Sequence, residues 1–213
     1  MRFFITIAGN IGVGKSTLVA LLADKLAWEP VYEAVDENPY LPDFYDSMTH
    51  WSFHSQVFFL SRRLQQHHDL MQSKRSIIQD RSVYEDAEIF ARNLFEQGNM
   101  SQRDWHTYYT LYQTMSSLVT PPQLVVYLQA SVDTLVRQIQ HRGRDYEQNI
   151  NRNYLERLNN LYEKWIADFS ISPVLTINTD NLDYVQYGDH LDLIQEKIME
   201  RLRGKDFLEL RNS

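Results

Sequence analysis

The chain has no cysteine, which excludes disulfides, thiolate metal sites and cysteine nucleophiles outright. No apolar run approaches the length of a membrane span, and the first residues lead directly into a strand-like segment and a glycine-rich loop. That leaves no room for a removable signal and implies a cytoplasmic protein with no membrane partner. Basic residues are in deficit, 21 Lys and Arg against 28 Asp and Glu, for a net charge of −7. A general nucleic-acid surface needs a basic face, so no nucleic-acid partner is expected and any phosphate recognition must be local. Glycine is also sparse, seven residues in 213, yet Gly9, Gly12 and Gly14 fall almost together.

What is present is ordinary in bulk. A hydrophobic fraction of 43% and a charged fraction of 23% suit a globular protein, and 213 residues suit one α/β domain better than two. The clustered glycines belong to Gly9-Asn10-Ile11-Gly12-Val13-Gly14-Lys15-Ser16-Thr17, which matches the phosphate-binding loop pattern G-x-x-x-x-G-K-[ST]. The context is also right, because an apolar run (Phe3, Phe4, Ile5, Ile7) precedes it and a helical pattern (Leu18, Leu21, Leu22, Leu26) follows. In such a loop the glycines let successive amides turn inward while the next helix presents its positive dipole end. Lys15 adds a full charge for the terminal phosphates, and the Ser16 hydroxyl is placed for magnesium. A bare strand-to-helix turn needs neither residue at those offsets.

Strand-like runs alternate with helical stretches along the rest of the chain. Strands are expected at 2–8, ending near Glu33, at 76–79, at 124–128 and at 174–177; helices at 15–27, 50–72, 83–97, 101–118, 132–141, 151–169 and 189–203. Prolines in Asn38-Pro39-Tyr40-Leu41-Pro42-Asp43 argue against regular structure there, and Ser101 reads as an N-cap. Helix-length connections between strands imply a parallel sheet with helices on both faces, whose ligands bind at the carboxyl ends of the strands. Glu33 follows the second such strand and Asp80 and Arg81 the third, while Arg142, Arg144 and Glu147 follow the helix after the fourth, on the edge expected to hold the phosphate loop.

The order and spacing of several segments then resemble the deoxynucleoside kinase family, in particular its bacterial deoxyadenosine and deoxyguanosine kinase branch, which is related to deoxycytidine kinase. These segments are Gly9 to Thr17, Tyr32-Glu33, Asn38 to Leu41, Trp51-Ser52-Phe53 with Gln56, Asp80 to Tyr84, Tyr127 to Ala130, and Arg142 to Glu147. The resemblance implies a P-loop kinase fold with a five-stranded parallel sheet, helices on both faces and an arginine-rich lid. It implies ATP- and Mg2+-dependent phosphorylation of a deoxynucleoside at its 5′-hydroxyl, with a purine deoxynucleoside favoured and deoxycytidine open. It also implies a homodimer formed through the helices after strands two and three.

Carried over residue by residue, Glu33 matches the family's general base and Arg81 the arginine that orients it and the hydroxyl. A neutral hydroxyl is a poor nucleophile and gains from a carboxylate within reach, whereas a monophosphate arrives already charged. Asp80 matches the acidic residue that shares magnesium with Ser16; neighbours on a strand, Asp80 and Arg81 should point to opposite faces. Arg142 and Arg144 match the lid that closes over the transferred phosphoryl group. Gln138 stands where many relatives carry a further lid arginine, with Arg137 beside it. Glu147 and Tyr45 match residues at the sugar 3′-hydroxyl. Gln56 matches the residue that pairs with the base edge, Phe90 stacks on the ring, and Arg63 with Asp86 forms a charged pair at the base. Gln56 and Arg63 share a helix face by spacing, as do Asp86 and Phe90. Phe53, Phe58, Phe59, Tyr84, Trp105, Tyr108, Tyr109 and Tyr112 are expected in the core or between subunits.

A nucleoside monophosphate kinase of the thymidylate kinase type would share this fold. Against it, Tyr32 rather than an arginine precedes Glu33, and the stretch 34–49 has no lysine or arginine to meet a substrate phosphate. A GTPase-like switch would need D-x-x-G and N-K-x-D; no glycine has an aspartate three positions before it, and Asn178 is followed by threonine.

Overall fold

The computed structural model of the chain describes residues 2–33, 37–144 and 150–204. Strands β1 (Phe4–Gly9), β2 (Glu29–Val31), β3 (Ile77–Asp80), β4 (Leu124–Gln129) and β5 (Val174–Asn178) form one sheet in the order β2-β3-β1-β4-β5, with every neighbouring pair parallel. β1 is buried along its whole length, as the central strand of a sheet covered on both faces must be. The helices are α1 (Lys15–Leu26), α2 (Leu41–Asp46), α3 (Met48–Gln72), α4 (Val83–Glu85), α5 (Arg92–Glu96), α6 (Gln102–Ser116), α7 (Val132–Arg142), α8 (Arg152–Asp168) and α9 (Gly188–Arg203).

Strand alternation sorts two cores onto the two faces. In β4, Leu124, Val126 and Leu128 join Leu18 and Leu22 of α1, Ile139 of α7 and Ile194 of α9. Their neighbours Val125 and Tyr127 join Leu60 of α3, Tyr108 of α6, and Leu158 and Tyr162 of α8. The expected α/β architecture with helices on both faces is therefore present. Among the described residues no helix is long and apolar enough to cross a membrane.

Two local expectations are corrected. The proline-bearing stretch holds a short helix, α2, because Pro42 falls in its first turn, where a missing amide costs no helical bond. The helix expected over 83–97 is not a uniform α-helix: a π-helical segment, Asp86–Ala91, separates α4 from α5. Such wide turns are frequent at functional sites and carry no periodicity signal. The second strand is short and ends near Glu33 as expected: β2 stops at Val31 and Glu33 lies on the connection that follows. Ser101 caps α6 as expected, its side chain accepting from Asp104 N at 3.1 Å.

Candidate active site

Most of the residues named from the phosphate-loop pattern and from the family resemblance line one cavity of about 290 Å³ beyond the carboxyl ends of β1, β2 and β3. Its phosphate end is set by backbone. Gly14 caps α1 with φ +97°, and a Cβ there would run into the Tyr184 hydroxyl, which donates to Gly14 O at 3.1 Å. Gly12, at φ +83°, would drive a Cβ into Ile139 of α7 at 2.6 Å. The Asn10 amide donates to Leu155 O at 2.9 Å and Asn159 Oδ1 at 2.7 Å, tying the loop to α8. Lys15 is buried and its Nζ donates to Asn10 O at 2.9 Å. Burial, then repulsion from Arg81, brings its ammonium down to about 8.

The opposite end is set by charged side chains. Arg81 Nη1 donates to both Glu33 oxygens, at 2.8 and 2.9 Å, and its guanidinium lies 4.2 Å from the centre of the Phe90 ring. Arg81 has a left-handed backbone, φ +68°, while its amide still reaches Ile7 O at 3.0 Å. This turn at the end of β3 aims Asp80 at Ser16 and Arg81 at Glu33. Arg63 is buried and donates to Asp86 at 3.1 and 3.4 Å, to Asp80 O at 3.1 Å and to Glu33 at 3.5 Å. Burial raises Glu33, but Arg81, Arg63 and Lys15 outweigh it and hold this carboxyl below the ordinary glutamate range. At Asp86 burial wins over Arg63 and the carboxyl lies above its ordinary range.

Between the two ends Ser16 Oγ donates to Asp80 Oδ2 at 2.5 Å, and Asp80 Oδ1 is buried with no hydrogen-bond partner among the described residues. A hydroxyl beside a carboxylate with an oxygen left over is a donor set that suits a hard divalent cation. A second buried carboxylate, Glu85, joins Gly9, Ser82 and Tyr162 just behind Arg81.

Ile11, Gly12, Lys15, Ser16, Glu33, Tyr45, Gln56, Asp80, Arg81, Asp86, Phe90, Arg142 and Arg144 line the cavity. Arg142 ends α7 and Gly143, at φ +69°, turns the chain toward Arg144. Gly9, Asn10, Val13, Gly14 and Thr17 shape the loop from outside the cavity wall, and Arg63 stands behind Asp86. Glu147 lies outside the described residues. Arg137 donates to Thr134 on its own helix at 3.2 Å, and Gln138 is the α7 side chain that lies beside Gly14. Phe59, expected in the core or between subunits, lines the cavity with Leu41, Phe44, Ser55 and Tyr154, none of which sequence reasoning had placed there. Glu85 was missed as well; its signal, Ser82 followed three residues later by glutamate, announces only a capping box, which is present.

The model of the deoxynucleoside kinase family matches residues 5–204. Deoxyadenosine/deoxycytidine kinase of Bacillus subtilis is 37% identical over 198 residues, 91% of this chain and 90% of that protein. Deoxyadenosine kinase of Lactobacillus acidophilus is 35% identical over 209 residues, covering 93% of this chain and 96% of the relative. The structure of deoxyadenosine kinase from M. mycoides with bound dATP superposes with a TM-score of 0.82 at 31% identity, covering 92% of this chain and 100% of that one. With a parallel P-loop sheet and a single cavity joining the loop to a carboxylate, the chain belongs to the deoxynucleoside kinase family. It is an enzyme that phosphorylates a deoxynucleoside.

Proposed function

We propose that the chain transfers the γ-phosphate of ATP to the 5′-hydroxyl of a purine deoxynucleoside, with deoxycytidine as a further acceptor, in nucleotide salvage. The observation that carries this reading is the Glu33 carboxylate, clamped by Arg81 at 2.8 and 2.9 Å and sharing one cavity with Lys15. The names of the relatives support the acceptor class, which includes deoxyadenosine, deoxyguanosine and deoxycytidine. The M. mycoides structures with bound dATP and with dCMP support a site that takes both bases.

In this reading Glu33, ionised at neutral pH, takes the hydroxyl proton as the oxygen attacks. Arg81 keeps the carboxylate aimed and meets the same oxygen. The loop amides and Lys15 hold the donor's phosphates, and Arg142 and Arg144 neutralise charge on the transferred group. Ser16 and Asp80 would hold Mg2+, which supplies charge neutralisation across the phosphates when bound. Gln56 and Asp86 read the base edge, Phe90 and Phe59 cover its faces, and Tyr45 meets the sugar. Arg63 keeps Asp86 in place. The protein acts in the cytoplasm as a homodimer joined through α3 and α6, a face on which Leu111 is exposed. A monodisperse monomer by light scattering at micromolar concentration would count against that dimer.

The test is phosphoryl transfer from labelled ATP to the four deoxynucleosides and their four monophosphates, with Glu33→Gln alongside. The expected outcome is product from the purine deoxynucleosides and deoxycytidine, slowed by roughly a hundredfold or more in the variant. Product from monophosphates alone would overturn the reading.

A further inference from the structure

A buried carboxylate lies between the phosphate loop and the Glu33–Arg81 pair, and phosphoryl transfer as described above gives it no task. Glu85 has no exposed surface. Its Oε1 accepts from Gly9 N at 3.2 Å and from the Tyr162 hydroxyl at 2.9 Å, and its Oε2 accepts from Ser82 N at 2.8 Å and Ser82 Oγ at 3.2 Å. Arg81 Nε lies 3.9 Å from Oε1; that nitrogen is buried and has no hydrogen-bond partner among the described residues. A capping box accounts for the contacts to Ser82 and for nothing else in this set. Burying a carboxylate completely is costly unless its charge is matched, so the remaining contacts need a reason.

Arg81 supplies one. Its Nη1 is committed to both oxygens of Glu33, the group that must accept a proton, and a guanidinium paired with one carboxylate alone suppresses that carboxylate's basicity. A second carboxylate on the Nε edge shares the positive charge, so Arg81 depresses Glu33 less than it would alone, although Glu33 still lies below the ordinary glutamate range. Glu85 is anchored from its other side by Gly9, where β1 passes into the phosphate loop, so it also sets how far Arg81 stands from that loop.

We propose that Glu85 is a positioning residue for phosphoryl transfer: ionised, it draws the Nε edge of Arg81 toward Gly9, keeps the Arg81–Glu33 pair in register with the phosphate loop and tempers the pull of Arg81 on Glu33. This rests on Glu33 as the general base. Tyr162 gives the arrangement two forms. Its one hydroxyl proton lies between Gly9 O at 2.8 Å and Glu85 Oε1 at 2.9 Å. With Glu85 ionised the proton serves Oε1; with Glu85 protonated, the carboxyl donates to the tyrosine oxygen and the tyrosine proton turns to Gly9 O. The charged and titratable groups facing Glu85 are Arg81, Lys15 from α1, Tyr162 from α8 and Tyr127 from β4. Burial outweighs the attraction of Arg81 and Lys15 and pushes Glu85 up to about 7, so both forms occur near neutral pH.

The experiment is kcat and nucleoside KM between about pH 5.5 and 9 for the full chain, Glu85→Gln, Tyr162→Phe and Glu33→Gln. The unaltered protein should show kcat rising through about pH 7 as Glu85 ionises. Glu85→Gln should lack that rise and fall about tenfold below it at alkaline pH, with KM changed less than about twofold. Tyr162→Phe removes a donor to the ionised form and should move the rise to higher pH. A Glu85→Gln profile that keeps its shape, lowered or not, overturns the proposal, as does an unmoved rise in Tyr162→Phe. If Glu85→Gln does not fold by circular dichroism, the Tyr162→Phe shift decides. Undiminished turnover in Glu33→Gln defeats the general base itself; a slow Glu33→Gln with an unaltered Glu85→Gln profile defeats only the role of Glu85.

Discussion

The two ends of the cavity are built from different materials. The phosphate end is shaped by backbone, a loop turned by glycines at φ +83° and +97° and braced by α7, α8 and Tyr184, with Lys15 as its buried charge. The nucleoside end is side chains, with Arg63 and Arg81 set among Glu33, Glu85 and Asp86 and little room for any of them to be solvated. A triphosphate presents the same tail whatever its base, so a fixed cradle of amides serves it. A nucleoside differs from its competitors by single donors and acceptors, and only side chains can be exchanged to follow those differences.

The sharpest way to test this contrast is to remove one charge from the nucleoside end. Asp86→Ala leaves Arg63 buried against Asp80 O with its main counter-charge gone, and should destabilise the fold by about 3–5 kcal/mol in urea unfolding. Replacing the pair with apolar residues, Arg63→Met with Asp86→Leu, should recover most of that stability while nucleoside phosphorylation stays lost. Recovery of both would mean that the pair is structural and the base is read elsewhere.

A smaller effect is expected at the phosphate end. Gly14→Ala forces a side chain onto a left-handed residue and against the Tyr184 hydroxyl, and should weaken ATP binding about tenfold, by titration calorimetry, with little change in nucleoside KM. Adding Tyr184→Phe removes the obstructing oxygen and should return part of the loss, leaving the share due to backbone strain. No recovery would show that the loop is governed by its dihedral angle alone.

The same contrast decided what could be read beforehand. The loop, the five strands and the two-faced covering depend on local spacing, and Gly9 to Thr17 or the apolar run of β4 carry that in the chain itself. Glu33, Arg81, Gln56 and Phe90 were legible through the order of their segments. What stayed hidden depends on contacts between distant elements. Glu85 meets Gly9 and Tyr162 across 76 and 77 residues, and its local surroundings announce only a helix start. Phe59 reads as core by helical spacing because nothing local tells a buried aromatic from one that walls a cavity. The π-helical segment that carries Asp86 and Phe90 has the apolar pattern of an ordinary helix, and α2 forms despite prolines that suggest a loop.

The left-handed backbone at Arg81 has a consequence for heat tolerance. Side chains other than glycine and a few small polar ones resist that conformation, so the chain carries an internal debit on the order of 1–2 kcal/mol at the residue it can least alter. Glycine there would sit at ease but could not hold Glu33. Thermal endurance and turnover therefore pull against each other at this one position, and any gain in the former has to be found elsewhere in the molecule.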